Sequence, residues 1–186
     1  MGSGAAERWV FGYGSLMWRP GFAYLERRPA LHQGRRRAFC IYSVHHRGTP
    51  QRPGLVLGLA HGGAVRGMAY RVAEADWAAV YAYLLEREQP TETYVEQHAL
   101  ARLDDGRRVH ALTFLSDRGH PQWAGDLSLD TQAELIAGAR GLSGRNVDYL
   151  SDLVAHLREE EIADPAMERL LALVLEREEA ALAARG

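Results

Sequence analysis

VFGYGSLMWRP, residues 10–20, runs from an apolar stretch straight into Gly12, Tyr13, Gly14 and Ser15, and the fold follows from what this turn can be. A dinucleotide-binding loop requires G-x-G-x-x-G opening a helix. Gly12 and Gly14 supply the first two glycines, but the third position is Met17, and Trp18, Arg19 and Pro20 argue against a close-packed helix after it. A nucleophile turn requires G-x-S-x-G; Ser15 has Tyr13 two residues before it and Met17 two after. A third reading survives. Glycines at a strand end let successive backbone N–H groups converge on a carboxylate or an oxyanion with no cationic side chain. The alternative is an ordinary tight turn in which Gly14 relieves steric strain.

Outward from this turn, the first half reads as short strands: residues 9–13, 37–44, 55–60 and 65–72, the last two parted by the turn signal at His61–Gly63. Between residues 45 and 54, HHRGTPQRPG carries two glycines and two prolines and reads as a loop, a candidate lid or wall. The period then changes. Trp77, Tyr81, Leu84 and Leu85 recur at helical spacing from Glu74 to Gln89, and Pro90 ends the helix. Two alternating segments, 94–103 and 108–116, flank the hairpin signal Asp104–Gly106. From Leu129 on, three helical segments are predicted, to Ala139, from Asn146 to Arg158 and from Pro165 to Ala183. Strands first and helices last predict an α+β fold, an antiparallel or mixed sheet or partial barrel with helices to one side. We expect a single domain over 1–186, with residues 1–8 flexible.

Composition narrows the chemistry. Every basic side chain other than histidine is arginine, so a lysine Schiff base and a Walker-type phosphate loop are excluded. A formal net charge of -2 creates no field for a polyanion, and Arg35, Arg36 and Arg37 read as a solvated strand end rather than a nucleic-acid footprint. One cysteine, Cys40, precludes an intrachain disulfide or a cysteine zinc cluster. The eight histidines, with His45 and His46 adjacent, show no ligand spacing, so no metal is expected. With no apolar stretch near membrane length and no leader-like start, the cytoplasm is the expected location.

The stripe Trp77, Tyr81, Leu84 continues by a step of four to Glu88, which places a carboxylate where a leucine is expected, while Glu86 and Arg87 are read as pointing elsewhere. Burial, and the negative end of the helix dipole, both disfavour the charged form and raise the carboxyl pKa toward the range of a general base. The competing reading is a glutamate at a frayed helix end, paired with an arginine such as Arg87 or Arg71.

Together, VFGYGSLMWRP, RRAFCIYSVHHRGTPQRPGLVLGL from Arg36, GMAYRV from Gly67, YLLERE from Tyr83 and GLSGRNVDYL from Gly141 resemble the ChaC-like γ-glutamylcyclotransferases, the glutathione-specific branch of that family. The resemblance implies a small mixed β-barrel with surrounding helices. It also implies cleavage of glutathione to 5-oxoproline and cysteinylglycine without metal or cofactor. By position, it implies substrate binding at Val10, Phe11, Gly12, Tyr13, Gly14, Ser15 and Leu16, and catalysis by Glu88. Arg47 and Asn146 are candidates for substrate carboxylates, Tyr149 for a hydrogen bond, and Tyr94 matches a family tyrosine. The chain departs from the family pattern at QPTETY (89–94), where GGY is common, and at Leu142, where proline is usual.

Overall fold

The structure is a computed structural model, which describes residues 7–88 and 93–184. They divide into two compact units, one formed by residues up to Arg36 together with His61–Asp117, the other by Arg37–Ala60 and the residues from Arg118 onward.

The strands form a closed barrel in the order β1 (Arg8–Gly12), β3 (Gly54–Val72), β2 (Glu26–Ser43), β4 (Tyr94–Leu103) and β5 (Arg108–Ser116). Antiparallel pairing sets Gly12 against Met68 and Tyr94 against Ser116, while β1 and β5 close the barrel in parallel, Val10 against Leu112. The helix α1 (Trp77–Glu88) follows a 3₁₀ turn at Glu74–Asp76 and buries Val80 and Leu84. These two pack with Val10, Leu16, Leu112 and Phe114 in one apolar cluster, against which Trp77, Tyr81 and Tyr94 lie half-buried. The predicted α+β barrel and the 94–103/108–116 hairpin are present, and the helix expected over Glu74–Gln89 appears as the 3₁₀ turn followed by α1, with Gln89 outside the described residues.

Several expectations need correction. Residues 55–60 and 65–72 are not two strands around a turn. They form one strand, which passes through Gly62 and Gly63 at φ +84° and +73°, where glycine accommodates a kink without breaking the ladder. Likewise β2 starts at Glu26, eleven residues before the expected strand; Gly34 (φ +84°) and Pro29 mask it in sequence because each normally interrupts a strand. Flexibility through residue 8 is also not what Arg8 shows. It pairs with Val72 in β1, and its Nε lies 2.9 Å from a Glu74 carboxylate oxygen. Residues 1–6 lie outside the described residues.

In the second unit α2 (Leu129–Ile136) and α3 (Asn146–Glu159) pack on α4 (Pro165–Ala183), around Ile136, Leu150, Val154, Leu170 and Val174. α2 stops at Ile136 rather than Ala139 because Ala137 is extended and Gly138 takes φ +69°. Asp164 caps α4 through the Met167 N–H, with Pro165 in its first turn. Arg37, read as solvated, is buried and reaches Asp164 at 3.2 Å, since a charge inside a fold persists only with a partner. The loop read as a lid is tied down. His45 and His46 accept backbone hydrogen bonds from Leu142 and Ser143, which join β6 (Arg140–Gly141) to β7 (Gly144–Arg145).

Candidate active site

Close packing forces the turn after β1 into its shape. Ser15–Met17 is a single 3₁₀ turn folded back over the strand end. A Cβ on Gly12 would stand 2.7 Å from the Leu16 Cβ, and one on Gly67 would stand 2.2 Å from the Gly12 carbonyl oxygen. Both glycines are therefore required by backbone approach. Gly14 differs: its φ of -129° is not left-handed, but with ψ at -132° it lies outside the ordinary helical and extended regions. Buried Tyr70 braces the turn, its hydroxyl shared between the carbonyls of Leu16 (2.9 Å) and Met17 (2.6 Å). Tyr13 reaches across to donate to the Phe114 carbonyl at 2.7 Å.

Within the turn the Met17 and Arg19 N–H groups bond back to Gly14 and Ser15. Those of Gly14, Ser15 and Leu16 have no acceptor among the described residues, as expected of the first amides of any helical turn. Val10, Phe11, Gly12 and Leu16 are buried, Tyr13 and Gly14 half-buried and Ser15 exposed. The first four are thus framework, and residues 13–15 form the face available to a ligand.

Glu88 closes α1 one turn beyond fully buried Leu84, with its side chain only 21% exposed. Burial raises its carboxyl pKa above the ordinary 4.5, and the Arg87 charge, with Nε 3.2 Å from Oε1, pulls the other way. Burial dominates. Both sequence readings of Glu88 therefore hold in part: it is a carboxylate on the buried face and also the partner of Arg87.

Arg87 does not point elsewhere. Its guanidinium donates to the Ser15 hydroxyl (2.8 Å), to the Tyr83 hydroxyl (2.9 Å), and to the carbonyls of Arg19 and Pro20. One fork thus ties the glycine turn to the helix bearing Glu88. A sequence signal for this existed: Leu84 to Arg87 is a step of three, which shares a helix face as a step of four does. Tyr94 opens β4, half-buried against the same apolar cluster. The differing turn at 89–92 lies outside the described residues.

The other predicted residues gather in the second unit. The Arg47 guanidinium lies over the Tyr149 ring at 5.2 Å and donates to the Arg145 carbonyl at 3.3 Å, and its N–H is held by Ser43 Oγ. Asn146 is fully buried. Its amide donates to the Leu55 carbonyl (2.8 Å) and accepts from the Leu55 N–H (2.7 Å), so it clamps the start of β3 and both ends of its amide are engaged. This geometry suits a structural fastener rather than a free carboxylate receptor. Arg47 and Tyr149 are both half-buried.

Known proteins are similar to this chain in sequence and in fold. A family model described as ChaC-like protein matches residues 8–177. The chain is 38% identical over 166 residues to the glutathione-specific γ-glutamylcyclotransferase of Escherichia coli K12, covering 89% of this chain and 72% of the relative. It is 34% identical to the human glutathione-specific γ-glutamylcyclotransferase 1, covering 76% and 66%. In three dimensions it superposes on the crystal structure of a yeast γ-glutamyl cyclotransferase specific to glutathione with a TM-score of 0.79 at 24% identity, over 93% of this chain and 100% of that one, which establishes the shared fold.

Proposed function

Because this chain belongs to the ChaC-like family, we propose that it is a γ-glutamylcyclotransferase that converts glutathione to 5-oxoproline and cysteinylglycine. The observation that carries the reading is the largely desolvated carboxylate of Glu88, coupled through Arg87 to the turn at residues 13–15. The names of the bacterial and human relatives support the choice of substrate.

The reaction needs no nucleophile from the protein. The glutamyl α-amine attacks its own γ-carbonyl to close a five-membered ring, and well-oriented intramolecular attack reaches effective molarities of about 10⁵ to 10⁸ M. The carbon–nitrogen bond to the cysteine amine then breaks. Glu88 takes the proton from the attacking nitrogen and delivers it to the departing amine, so no net proton is consumed. The unbonded amides of Gly14 and Ser15 face a developing oxyanion or the substrate's α-carboxylate. The match of one family model across both units supports a single catalytic domain, and the absence among the described residues of any helix long and apolar enough to cross a membrane is compatible with a cytoplasmic setting.

Glutathione incubated with the protein in ¹⁸O-labelled water tests the reaction type by mass spectrometry. The expected product is 5-oxoproline without solvent oxygen, and labelled glutamate as the first product refutes the assignment. Arg87 adds a second test. The general base works ionised, so kcat/KM rises with pH through the Glu88 titration. Arg87→Gln removes the charge that favours the ionised form, and the acidic limb of the profile is expected to move to higher pH. Arg87→Lys keeps the charge but not the fork, so its limb stays near wild type while the hold on Ser15 weakens. A limb unmoved in Arg87→Gln would show that Glu88 does not set it.

A further inference from the structure

Among the described residues, Ser116 carries the one buried side-chain oxygen with no hydrogen-bond partner. It is 7% exposed. A hydroxyl in this state has lost water and gained nothing, a loss that folded proteins avoid unless the group serves another purpose.

Its position states the purpose. Along β5 side chains alternate between faces, so Ser116 shares a face with Leu112 and Phe114, both in the apolar cluster with Leu16 of the glycine turn and Leu84 of α1. Directly across the ladder Ser116 opposes Tyr94, and cross-strand partners project to the same side; the Tyr94 ring packs against that same cluster. The parallel register of β1 on β5, Val10 with Leu112, brings the level of Ser116 to the end of β1, where residues 13–15 turn. The Tyr13 hydroxyl already binds the Phe114 carbonyl two residues upstream. A polar residue at the end of an apolar β5 face therefore meets the end of the barrel where the glycine turn lies, beside Tyr94.

We infer that Ser116 is a further substrate-contacting residue, its hydroxyl donating a hydrogen bond to an oxygen of the bound γ-glutamyl group. The inference rests on the γ-glutamylcyclotransferase reading, in which Glu88 takes the substrate's nitrogen protons and the oxygens of the same group need donors. Backbone amides of the turn supply some, and Ser116 supplies one from the opposite wall.

Ser116→Ala deletes the hydroxyl and nearly preserves shape. If the hydroxyl serves the substrate, kcat/KM for glutathione falls roughly tenfold while the melting temperature of the ligand-free protein holds or rises, because an unmade buried hydrogen bond has been removed. Calorimetric titration of glutathione into Glu88→Gln and into Glu88→Gln/Ser116→Ala reads binding without turnover, and Kd is expected to rise by a similar factor in the double variant. Wild-type turnover combined with kcat/KM and Kd within twofold overturns the inference and leaves the cyclotransferase reading standing. So does a lower melting temperature with unchanged Kd, which would mark Ser116 as structural. A wild-type protein that forms no 5-oxoproline from glutathione overturns both.

Discussion

Glu88→Gln is expected to lower turnover of glutathione by roughly 10²- to 10⁴-fold, the range typical of losing a general base, with little change in shape. The same substitution should not cost stability at neutral pH. The carboxyl is buried at the end of α1 and its pKa stands above the ordinary 4.5, so in the window between those values the folded protein binds more protons than the unfolded chain. Stability associated with Glu88 is therefore present below about 4.5 and is lost as pH rises through its folded value. Above that value the ionised carboxylate burdens the fold, and glutamine removes that burden. The expected signature is an inactive variant with an equal or higher melting temperature at pH 7, a difference that vanishes below pH 4.5. Glu86→Gln, on the exposed side of the same helix, should leave kinetics near wild type. Comparable kcat/KM for wild type and Glu88→Gln would remove the residue from the mechanism.

The second large effect is expected from a single methyl group. Gly12→Ala would place a Cβ 2.7 Å from the Leu16 Cβ, an atom fixed to the backbone of the 3₁₀ turn that cannot swing aside. The turn must move, and with it the Ser15–Arg87 hydrogen bond and the two carbonyls held by Tyr70. A displacement of about 1 Å in a positioning element costs on the order of 10²-fold in rate, and overpacking costs roughly 1–3 kcal/mol of stability. Activity assays and chemical denaturation of the purified variant check both. Wild-type kcat/KM in a stable Gly12→Ala protein would mean that the turn is not a rigid part of the site. Gly14→Val adds a β-branched side chain to the same turn, and its expected loss is read in kcat/KM for glutathione.

Much of this molecule is legible in its residues. Helical period along α1 marks Glu88 as a carboxylate out of place, and two-residue alternation with the Asp104–Gly106 turn predicts β4 and β5 nearly to the residue. Local signals suffice there because the pattern that buries each element is written within one or two turns of chain. The incomplete glycine motifs between Gly12 and Met17 likewise argue against a dinucleotide loop and a nucleophile turn without any coordinates. Absence of lysine removes further reaction classes outright.

Tertiary structure alone decided what depends on atoms distant in sequence. The long strands β2 and β3 run through Gly34, Gly62 and Gly63 because partners across the ladder hold the backbone where local propensity would break it. Arg37 is buried because Asp164 waits 127 residues away, and Asn146 is a clamp because Leu55 lies 91 residues back. Arg87 became part of the site through Ser15, 72 residues earlier, and Ser116 through a register that sets it opposite Tyr94. A side chain's type states what it can bond. Only the closed barrel, by bringing strand ends together and removing water from between them, determines which of those bonds are made and which one is left open.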